Sequence, residues 1–426
     1  MYVQHSEIKA NRKLLYVQLR YEIETVFILA AISSGMGRNL LMSNVDVGTG
    51  TGGGTTSPFF EKLVLEAGAL KQVAPFFLEH GSRRLLLAAD ANTYEAAGRK
   101  LEQSMREAGL EPSLCLLEPA ETGDVVADEA AIVQLLLAIE PGMTEALIAV
   151  GSGTIHDIVR FAGHKCGIPF ISVPTAPSVD GFTSAGAPLT IRGMKTTVPA
   201  VSPTAIFADL DVLMRAPQRL VAAGFGDMLG KYTSLFDWKF SHLTGGEPYN
   251  EQAAEITERA LASCVRHARE IGGRTQEGIT ALMTALIESG IAMLLFGQSH
   301  PASGAEHHLS HYWEMEYLRR GRRALLHGAK VGVACAEISR LYHDAAERGV
   351  FPGGEPEALR RHGELVRSWL ADVPSEAAIR ELLQLAGGPS SLAELGIGDG
   401  LFARSLREAH RIRPNRHTFL RALNEA

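Results

Sequence analysis

The 426-residue sequence has only four cysteines, and none of them forms a CxxC pair or a comparable paired spacing. They are Cys115, Cys166, Cys264 and Cys335. Cysteines so far apart along a chain are typical of reduced, mostly structural residues. We therefore expect a cytoplasmic protein without a disulfide framework.

The sequence also lacks a block of basic residues long enough to bind a nucleic-acid backbone, and it has no long apolar run near its start. Lysine and arginine total 41 against 48 aspartate and glutamate residues, a net charge of −7 that argues against nucleic-acid binding. The apolar run at residues 26–32 is much shorter than the roughly 20 residues of a spanning helix. Because its surroundings do not resemble a signal peptide either, we expect no membrane insertion.

Hydrophobic residues make up 46% and charged residues 21% of the chain, the balance of a soluble globular protein. At this length, two domains are the default. Residues 1–57 differ from the rest because they end in a glycine- and threonine-rich tract at 48–57. A phosphate-binding loop is one interpretation, but the Lys-Ser/Thr ending and the following helix are missing, so we expect a flexible N-terminal extension.

Strand-like and helix-like segments alternate over residues 58–214. The short apolar runs lie at 84–90, 113–118, 146–150 and 169–173, and the helix-like stretches at 96–108 and 130–139. Strands separated by helices predict an α/β domain with a parallel, Rossmann-like sheet. Helical periodicity dominates residues 215–426, so we expect an all-helical second domain, with the ligand in the cleft between the two.

A glycine-containing turn follows the third apolar run. The segment Gly151-Ser-Gly-Thr-Ile155 comes directly before a helix-like stretch. Its two glycines allow a tight turn and close approach, and the N-terminus of the helix offers free N–H groups to a pyrophosphate. The motif is weak on its own, and an ordinary strand–helix turn is the alternative.

The segment after the fourth apolar run lies where open α/β sheets bind ligands, just past the carboxyl end of a strand. It reads Val173-Pro-Thr-Ala-Pro-Ser-Val-Asp-Gly-Phe-Thr-Ser184. Thr175, Ser178 and Ser184 supply hydroxyl groups, and Asp180 supplies a carboxylate. A rigid connecting loop is the alternative interpretation.

Three separate places supply potential metal ligands. Asp227 is predicted near the start of a helix, and His327 follows a hundred positions further on. His307 and His311 are four residues apart and therefore share one helix face. Two neutral imidazoles and a carboxylate suit a divalent ion such as zinc or nickel and leave positions open for a substrate oxygen. Each histidine taken singly is more often a surface or satisfied core residue.

Taken together, these motifs resemble the sn-glycerol-1-phosphate dehydrogenase family, in the superfamily of glycerol dehydrogenases, iron-type alcohol dehydrogenases and dehydroquinate synthases. The motifs are Gly151-Ser-Gly-Thr-Ile155, Thr175-Ala-Pro-Ser178 with Asp180 and Ser184, Gly224-Phe-Gly-Asp227, Ser303-Gly-Ala-Glu-His-His-Leu-Ser-His-Tyr-Trp-Glu314 and Leu326-His-Gly328. The likeness covers residues 59–330 at least and implies a dehydroquinate synthase-like fold. Residues 1–57 have no counterpart in it, and the turn has two glycines where relatives often carry three.

The resemblance implies a role for each matching residue. Cofactor binding falls to Gly151, Ser152, Gly153, Thr154, Ile155, Thr175, Ala176, Pro177, Ser178 and Ser184, with Asp90 as a further cofactor-side residue. The metal ligands would be Asp227, His307 and His327. Asp180 and His311 would be the catalytic residues, and they would contact the substrate together with Asp227.

The implied reaction is the reversible NAD(P)H-dependent reduction of dihydroxyacetone phosphate to sn-glycerol 1-phosphate, which supplies glycerophosphate lipid backbones. We expect NAD, with NADP as an alternative, because Glu118 could accept a ribose 2′-hydroxyl and would repel a 2′-phosphate. One zinc or nickel ion and a homodimer or larger homo-oligomer are further expectations. The basic run 319–323 is a candidate for the substrate phosphate, although such runs are more often solvated. Glycerol dehydrogenase and iron-type alcohol dehydrogenase, the latter with His311 as a fourth ligand, are the alternatives.

Overall fold

The computed structural model describes residues 55–57, 59–349 and 356–426. Met1–Ser57 and Pro58–Ala426 are separate structural units. The predicted flexible extension therefore lies outside the described residues except for a three-residue strand, Thr55–Ser57. The predicted domain boundary between residues 214 and 215 stays a prediction. All strands of the described chain lie before residue 210.

Six parallel strands form the sheet of the second unit. They are β1 Phe60–Glu66, β2 Arg84–Ala89, β3 Glu111–Leu116, β4 Ala146–Gly151, β5 Phe170–Pro174 and β8 Ala205–Asp209. Their order in the sheet is β1-β8-β5-β4-β2-β3. The four apolar runs of the sequence correspond to β2, β3, β4 and β5. The predicted fold class, a parallel α/β region followed by helices, is confirmed.

A two-stranded antiparallel hairpin lies between β5 and β8, and the sequence interpretation missed it. Its strands are β6 Gly186–Ile191 and β7 Met194–Pro199. The turn residues Arg192 and Gly193 both have positive φ, at 52° and 75°, which matches the two-residue turn that joins tightly paired strands. The hairpin carries Lys195 to the helical part of the chain, where its Nζ atom lies 2.9 Å from the Glu314 carboxylate.

Helices connect the strands and then make up the rest of the described chain. Those before residue 210 are α1 Val73–Glu79, α2 Ala91–Thr93, α3 Arg99–Glu107, α4 Glu129–Ala138 and α5 Gly153–Cys166. A π-helical turn, Tyr94–Gly98, joins α2 to α3, and 3-10 turns lie at Ala69–Gln72 and Ala409–Ile412. The later helices are α6 Leu210–Leu213, α7 Gln218–Leu229, α8 Lys231–Gly245, α9 Glu251–Arg266, α10 Ala268–Gly272, α11 Gln276–Phe296, α12 Ala305–Arg319, α13 His327–Arg348, α14 Glu357–Leu370, α15 Glu376–Leu385, α16 Asp399–Glu408 and α17 Phe419–Asn424.

The sheet is buried on both faces, as expected for a parallel sheet covered by helices. Alternate residues of β2 point to opposite sides: Leu85 and Leu87 contribute to one apolar layer, Leu86 and Ala88 to the other. Because both layers are apolar, the strands read as continuous hydrophobic runs. The polar loops that follow the strands, and with them the proposed ligand-binding groups, lie at the carboxyl edge of the sheet.

Among the described helices, α11 alone is long and apolar enough to cross a membrane by length and composition. Its most apolar window is 61% buried within the protein, and the core helix of a soluble protein passes the same test. The four cysteines are all free, and Cys166 alone among them is exposed. The expectation of reduced cysteines agrees with this arrangement.

Candidate active site

The glycine turn lies between β4, which ends at Gly151, and α5, which begins at Gly153. A Cβ atom on Gly151 would lie 2.5 Å from Cγ1 of Ile155, and one on Gly153 would lie 2.9 Å from Cγ2 of Val179. Ser152 occupies the N-cap position, but its side chain makes no capping hydrogen bond. The first N–H groups of α5 are thus not used by this side chain, as an anion-binding helix terminus requires.

The loop after β5 lies directly beside this turn. The Thr175 N–H donates to the Gly151 carbonyl at 3.0 Å, and Thr175, Ala176, Pro177 and Ser178 are all buried. The half-buried Ser184 hydroxyl donates weakly to the carbonyl groups of the same loop, at 3.3 and 3.4 Å. The structure therefore brings together the two segments that the sequence assigned to the cofactor.

Arg160 holds the far end of this loop, and sequence reasoning missed it. Its buried guanidinium, on α5, donates to the carbonyl groups of Gly181, Phe182 and Gly186 and pairs with Asp157 at 2.8 Å. Burial raises the pKa of Asp157 to about 7, against the effect of that guanidinium. An arginine in a helix carries no sequence signal that its partners are backbone carbonyl groups 21 or more positions away.

Asp90 lies directly after a strand, as the sequence predicted, and it also has a structural partner. It follows β2, and its carboxylate accepts the Thr93 N–H at 2.8 Å while its own N–H donates to the Thr93 hydroxyl at 3.0 Å. This reciprocal pair is a capping box, which stabilises the start of α2. The cofactor-side role of Asp90 stays a prediction.

Three side chains from three helices meet at one point of the helical part. Asp227 lies in the last turn of α7, His307 in the first turn of α12, and His327 at the start of α13. The expectation that Asp227 lies near the start of a helix is wrong, because α7 begins nine residues earlier, at Gln218. One ligand atom from each of the three residues lies within 4.8 Å of the others.

Small residues let these helices approach closely enough for that meeting. A Cβ atom on Gly328 would lie 1.8 Å from the Ala223 carbonyl oxygen, and one on Gly226 would lie 2.4 Å from the Gly328 carbonyl oxygen. On the other face of α7, a Cβ atom on Gly224 would lie 1.9 Å from the Pro177 carbonyl oxygen. The glycines at positions 224, 226 and 328 therefore allow Asp227 to lie close to both His327 and the loop after β5.

Burial keeps the histidines of this cluster neutral, the form that binds metal. It lowers the pKa of His307 well below its usual value and that of His327 to about 3. The Nδ1 atom of His307 lies 2.7 Å from the Glu306 carboxylate, which also accepts the Thr233 hydroxyl at 2.6 Å. With Nδ1 held by Glu306, Nε2 of His307 faces Oδ1 of Asp227 at 3.7 Å, and Nε2 of His327 does so at 3.9 Å.

These residues fit a divalent metal ion. Two neutral imidazole nitrogens and a carboxylate oxygen converge from three rigid helices, and a carboxylate behind His307 fixes its tautomer in the way that supporting groups orient metal ligands. His311 is not part of this converging group among the described residues.

Asp180 links the cluster of Asp227, His307 and His327 to the loop after β5. Its N–H donates to Oδ2 of Asp227 at 3.0 Å, and its own carboxylate accepts the Ser289 hydroxyl at 2.8 Å. Lys231, fully buried, lies 2.7 Å from the Asp180 carboxylate and 3.1 Å from that of Asp227. Although burial opposes its charge, these two carboxylates raise the pKa of Lys231. The sequence motifs gave no indication of this lysine, which offsets the negative charge of two neighbouring carboxylates.

His311 lies one turn beyond His307 on α12 and is only 6% exposed. Its ring centroid is 6.2 Å from that of His307 and 6.1 Å from that of His327. Within the described part of the chain, neither of its ring nitrogens has a hydrogen-bond partner. An unpaired imidazole beside the ligand cluster is available for a substrate oxygen or a proton.

The basic run of the sequence and the buried residue His156 have structural partners. In the basic run, Arg319 and Arg320 pair with Glu316, and Arg323 pairs with Asp124. His156 is buried, with its ring 2.7 Å from the Ser172 hydroxyl and 2.9 Å from the Ser152 carbonyl.

Comparisons with known proteins find similar dehydrogenases. Residues 64–217 match the family described as iron-containing alcohol dehydrogenase. The chain is 47% identical over 374 residues to the glycerol-1-phosphate dehydrogenase (NAD(P)+) of Geobacillus thermodenitrificans, covering 86% of this chain and 92% of the relative. It is 43% identical to the enzyme of that name from Bacillus subtilis, covering 86% and 91%, and 32% identical to that of Pyrococcus furiosus, covering 80% and 86%.

Solved structures share the fold at low identity. A probable glycerol dehydrogenase from Sinorhizobium meliloti superposes with a TM-score of 0.63 at 18% identity, covering 86% of this chain and 95% of that one. A sulfoacetaldehyde reductase from Bifidobacterium kashiwanohense, solved with NAD+, gives a TM-score of 0.62 at 15% identity, covering 88% and 98%. These similarities establish the fold alone.

Proposed function

The chain belongs to the glycerol-1-phosphate dehydrogenases, and we propose that it reduces dihydroxyacetone phosphate to sn-glycerol 1-phosphate with NADH or NADPH. The observation that carries the proposal is the convergence of Asp227, His307 and His327 within 4.8 Å, in a chain 43–48% identical to curated enzymes of that name. The reaction is reversible, and its product would supply glycerophosphate lipid backbones.

In this proposal the metal and the cofactor bind to separate sets of residues. Asp227, His307 and His327 would hold one zinc or nickel ion, whose chemistry when bound is Lewis-acid polarisation of the substrate carbonyl. The turn at residues 151–155, together with Thr175, Ala176, Pro177, Ser178 and Ser184, would hold the dinucleotide. NAD is the preferred cofactor because Glu118 is exposed beyond β3, where a carboxylate favours a ribose 2′-hydroxyl over a 2′-phosphate.

The catalytic work of this chain is to orient the substrate and to move a proton. His311, whose ring nitrogens are unpaired, would exchange a proton with the substrate oxygen that becomes the alcohol. Asp180 would bind the substrate while Ser289 and Lys231 fix its carboxylate. Closely packed helices keep bulk water from these groups, which aligns donor and acceptor and strengthens their electrostatic interactions.

A substrate comparison tests the proposal. Oxidation of NADH by the metal-loaded full-length chain is measured with dihydroxyacetone phosphate, dihydroxyacetone, simple aldehydes and no substrate, with and without added Zn²⁺ or Ni²⁺. We expect preference for the phosphorylated ketone and formation of the 1-phosphate rather than the 3-phosphate. Equal catalytic efficiency on the two ketones would instead assign the chain to glycerol dehydrogenase activity.

The cytoplasmic location and the homodimer or larger homo-oligomer stay predictions. The small-molecule substrate follows from the family, whereas the absence of nucleic-acid and membrane partners stays an expectation of the sequence.

A further inference from the structure

A substrate with a phosphate group needs a cation near the metal cluster, and the lysines there already contact carboxylates. Lys231 is shared by the carboxylates of Asp180 and Asp227. Lys195 and Lys330 share the single carboxylate of Glu314, at 2.9 and 2.6 Å. Lys231 is therefore fully compensated, whereas the pair of Lys195 and Lys330 keeps one net positive charge and is the competing candidate.

Arg413 differs from those lysines in its partners. It follows the last 3-10 turn, and its Nη1 atom donates to the hydroxyl groups of Ser299 and Ser303, both at 3.0 Å. Over the described residues it forms no ion pair, and its Nη2 and Nε atoms have no acceptor. A guanidinium fixed at one corner by two neutral hydroxyls keeps both its charge and a free donor edge.

Arg413 is anchored just before the helix that carries His307 and His311. Ser303, which anchors it, lies two residues before α12, and that helix presents His307 and His311 in its first two turns. After burial, the charge of Arg413 is the largest cause that lowers the pKa of His311. It acts on His307 in the same direction. Burial and Arg416 lower the pKa of Arg413 itself to about 10, so it remains charged at neutral pH.

We propose that Arg413 binds the phosphate group of the substrate and is the residue by which this enzyme distinguishes a phosphorylated three-carbon ketone from the free ketone. The inference rests on the proposed function. Its geometric basis is the free edge of a guanidinium anchored to Ser303, four residues before His307, since a planar guanidinium donates two parallel hydrogen bonds to phosphate. The basic run at residues 319–323 is a weaker candidate, because Arg319, Arg320 and Arg323 pair with carboxylates and Arg322 lies over the Tyr317 ring.

The test compares Arg413→Gln with a matched arginine elsewhere. Arg404→Gln removes an arginine from α16 that lies 3.7 Å from Glu316, away from the metal cluster. For each metal-loaded full-length variant, kcat/KM is measured with dihydroxyacetone phosphate and with dihydroxyacetone, and binding of inorganic phosphate to the metal-free protein is measured by calorimetry.

We expect Arg413→Gln to lower kcat/KM for the phosphorylated ketone roughly 10- to 150-fold, the value of one charge-assisted hydrogen bond. Affinity for inorganic phosphate should fall in parallel, and kcat/KM for dihydroxyacetone should fall much less, while all values for Arg404→Gln stay near wild type. Arg413→Lys should recover part of the loss, because it restores the charge without the fork. An unchanged preference for the phosphorylated ketone, or an equal loss on both ketones, would overturn the proposal.

Failure of this inference is distinguishable from failure of the proposed function. If the wild-type chain prefers dihydroxyacetone, the function is wrong before any variant is made, and Arg413 has no phosphate to bind. If the wild type prefers the phosphorylated ketone but Lys330→Met, rather than Arg413→Gln, abolishes that preference, the inference alone fails. Should Arg413→Gln not fold, Arg413→Lys decides the matter: wild-type affinity for inorganic phosphate in that variant overturns the role of the guanidinium fork.

Discussion

The proposed cofactor side and the proposed metal side of this site are made of different chemical groups. At the turn between β4 and α5, the chain offers backbone N–H groups and glycines that keep space clear. Around Asp227, by contrast, it offers charged and titratable side chains, most of which are held by another side chain. Substitutions that add atoms should therefore damage the first region, whereas substitutions that remove atoms should damage the second.

The two regions also meet through a contact that belongs to both. The Pro177 carbonyl oxygen of the cofactor loop lies against Gly224, three residues before Asp227. The Asp180 N–H, on the same loop, donates to Oδ2 of Asp227. The loop after β5 thus positions Asp227, the proposed metal ligand, directly, so the two halves of the site are not independent in position even though their chemistry differs.

The largest effect is expected from removing a ligand on the metal side. His307→Ala leaves two of the three converging residues and should lose the bound metal and nearly all turnover. His308→Ala is the matched control, since it removes the neighbouring buried imidazole on α12, which points away from the cluster's ligand set. The check is metal per chain, measured by mass spectrometry beside turnover. Retention of a full metal complement by folded His307→Ala would remove this residue from the ligand set.

His311→Ala should be milder and should separate the metal from the proton. The three converging residues remain, so we expect normal metal content. Turnover should fall by about 10²–10⁴-fold, the usual contribution of a general acid–base group. The readouts are again metal per chain and turnover, with unchanged circular dichroism as the folding control. A folded variant without metal would favour the iron-type arrangement with four ligands, and full turnover would shift the proton transfer to Asp180 or solvent.

On the cofactor side, adding one carbon should have a smaller effect and leave the metal in place. Gly151→Ala puts a methyl group 2.5 Å from Cγ1 and 2.7 Å from Cβ of Ile155, so the turn must shift. We expect the KM for NADH to rise by about tenfold, or ~1.4 kcal/mol, with normal metal content. Gly398→Ala is the control, because its added methyl group would meet open space at an ordinary φ of −78°. Loss of metal from Gly151→Ala would mean that a change in the turn also disrupts the proposed metal site.

The sequence predicted the two sides of the site unequally, and the reason is physical. Local patterns sufficed for the strands at 84–89 and 146–151 and for the helix face shared by His307 and His311, because periodicity is a local property. The hairpin at 186–199 was missed although its two strands pair locally across the turn at Arg192 and Gly193. The strands β1 and β8 were missed because they pair with each other from positions far apart along the chain.

The supporting charges were missed for the same reason. Lys231 sits four residues after Asp227, a spacing that reads as an ordinary surface pair on a helix, yet it is fully buried and also holds Asp180. Arg413 lies more than 100 residues from the serines that anchor it, Ser299 and Ser303. Only the three-dimensional arrangement shows that one of these cations is neutralised by carboxylates and the other is not.

The smallest effect is expected from removing the part of the chain that precedes both regions. Every residue assigned to the site lies between Asp90 and Arg413, within the unit Pro58–Ala426, and Met1–Ser57 is a separate unit. A chain starting at residue 58 should therefore keep kcat/KM within about twofold, or ~0.5 kcal/mol, of the full-length enzyme. The measurement is turnover and metal content of the truncated protein, with gel filtration to establish that it is monodisperse. A soluble, monodisperse truncation that binds metal but does not turn over would place part of the first 57 residues at the active site, and the contrast between a cofactor side and a metal side would then need a third contributor.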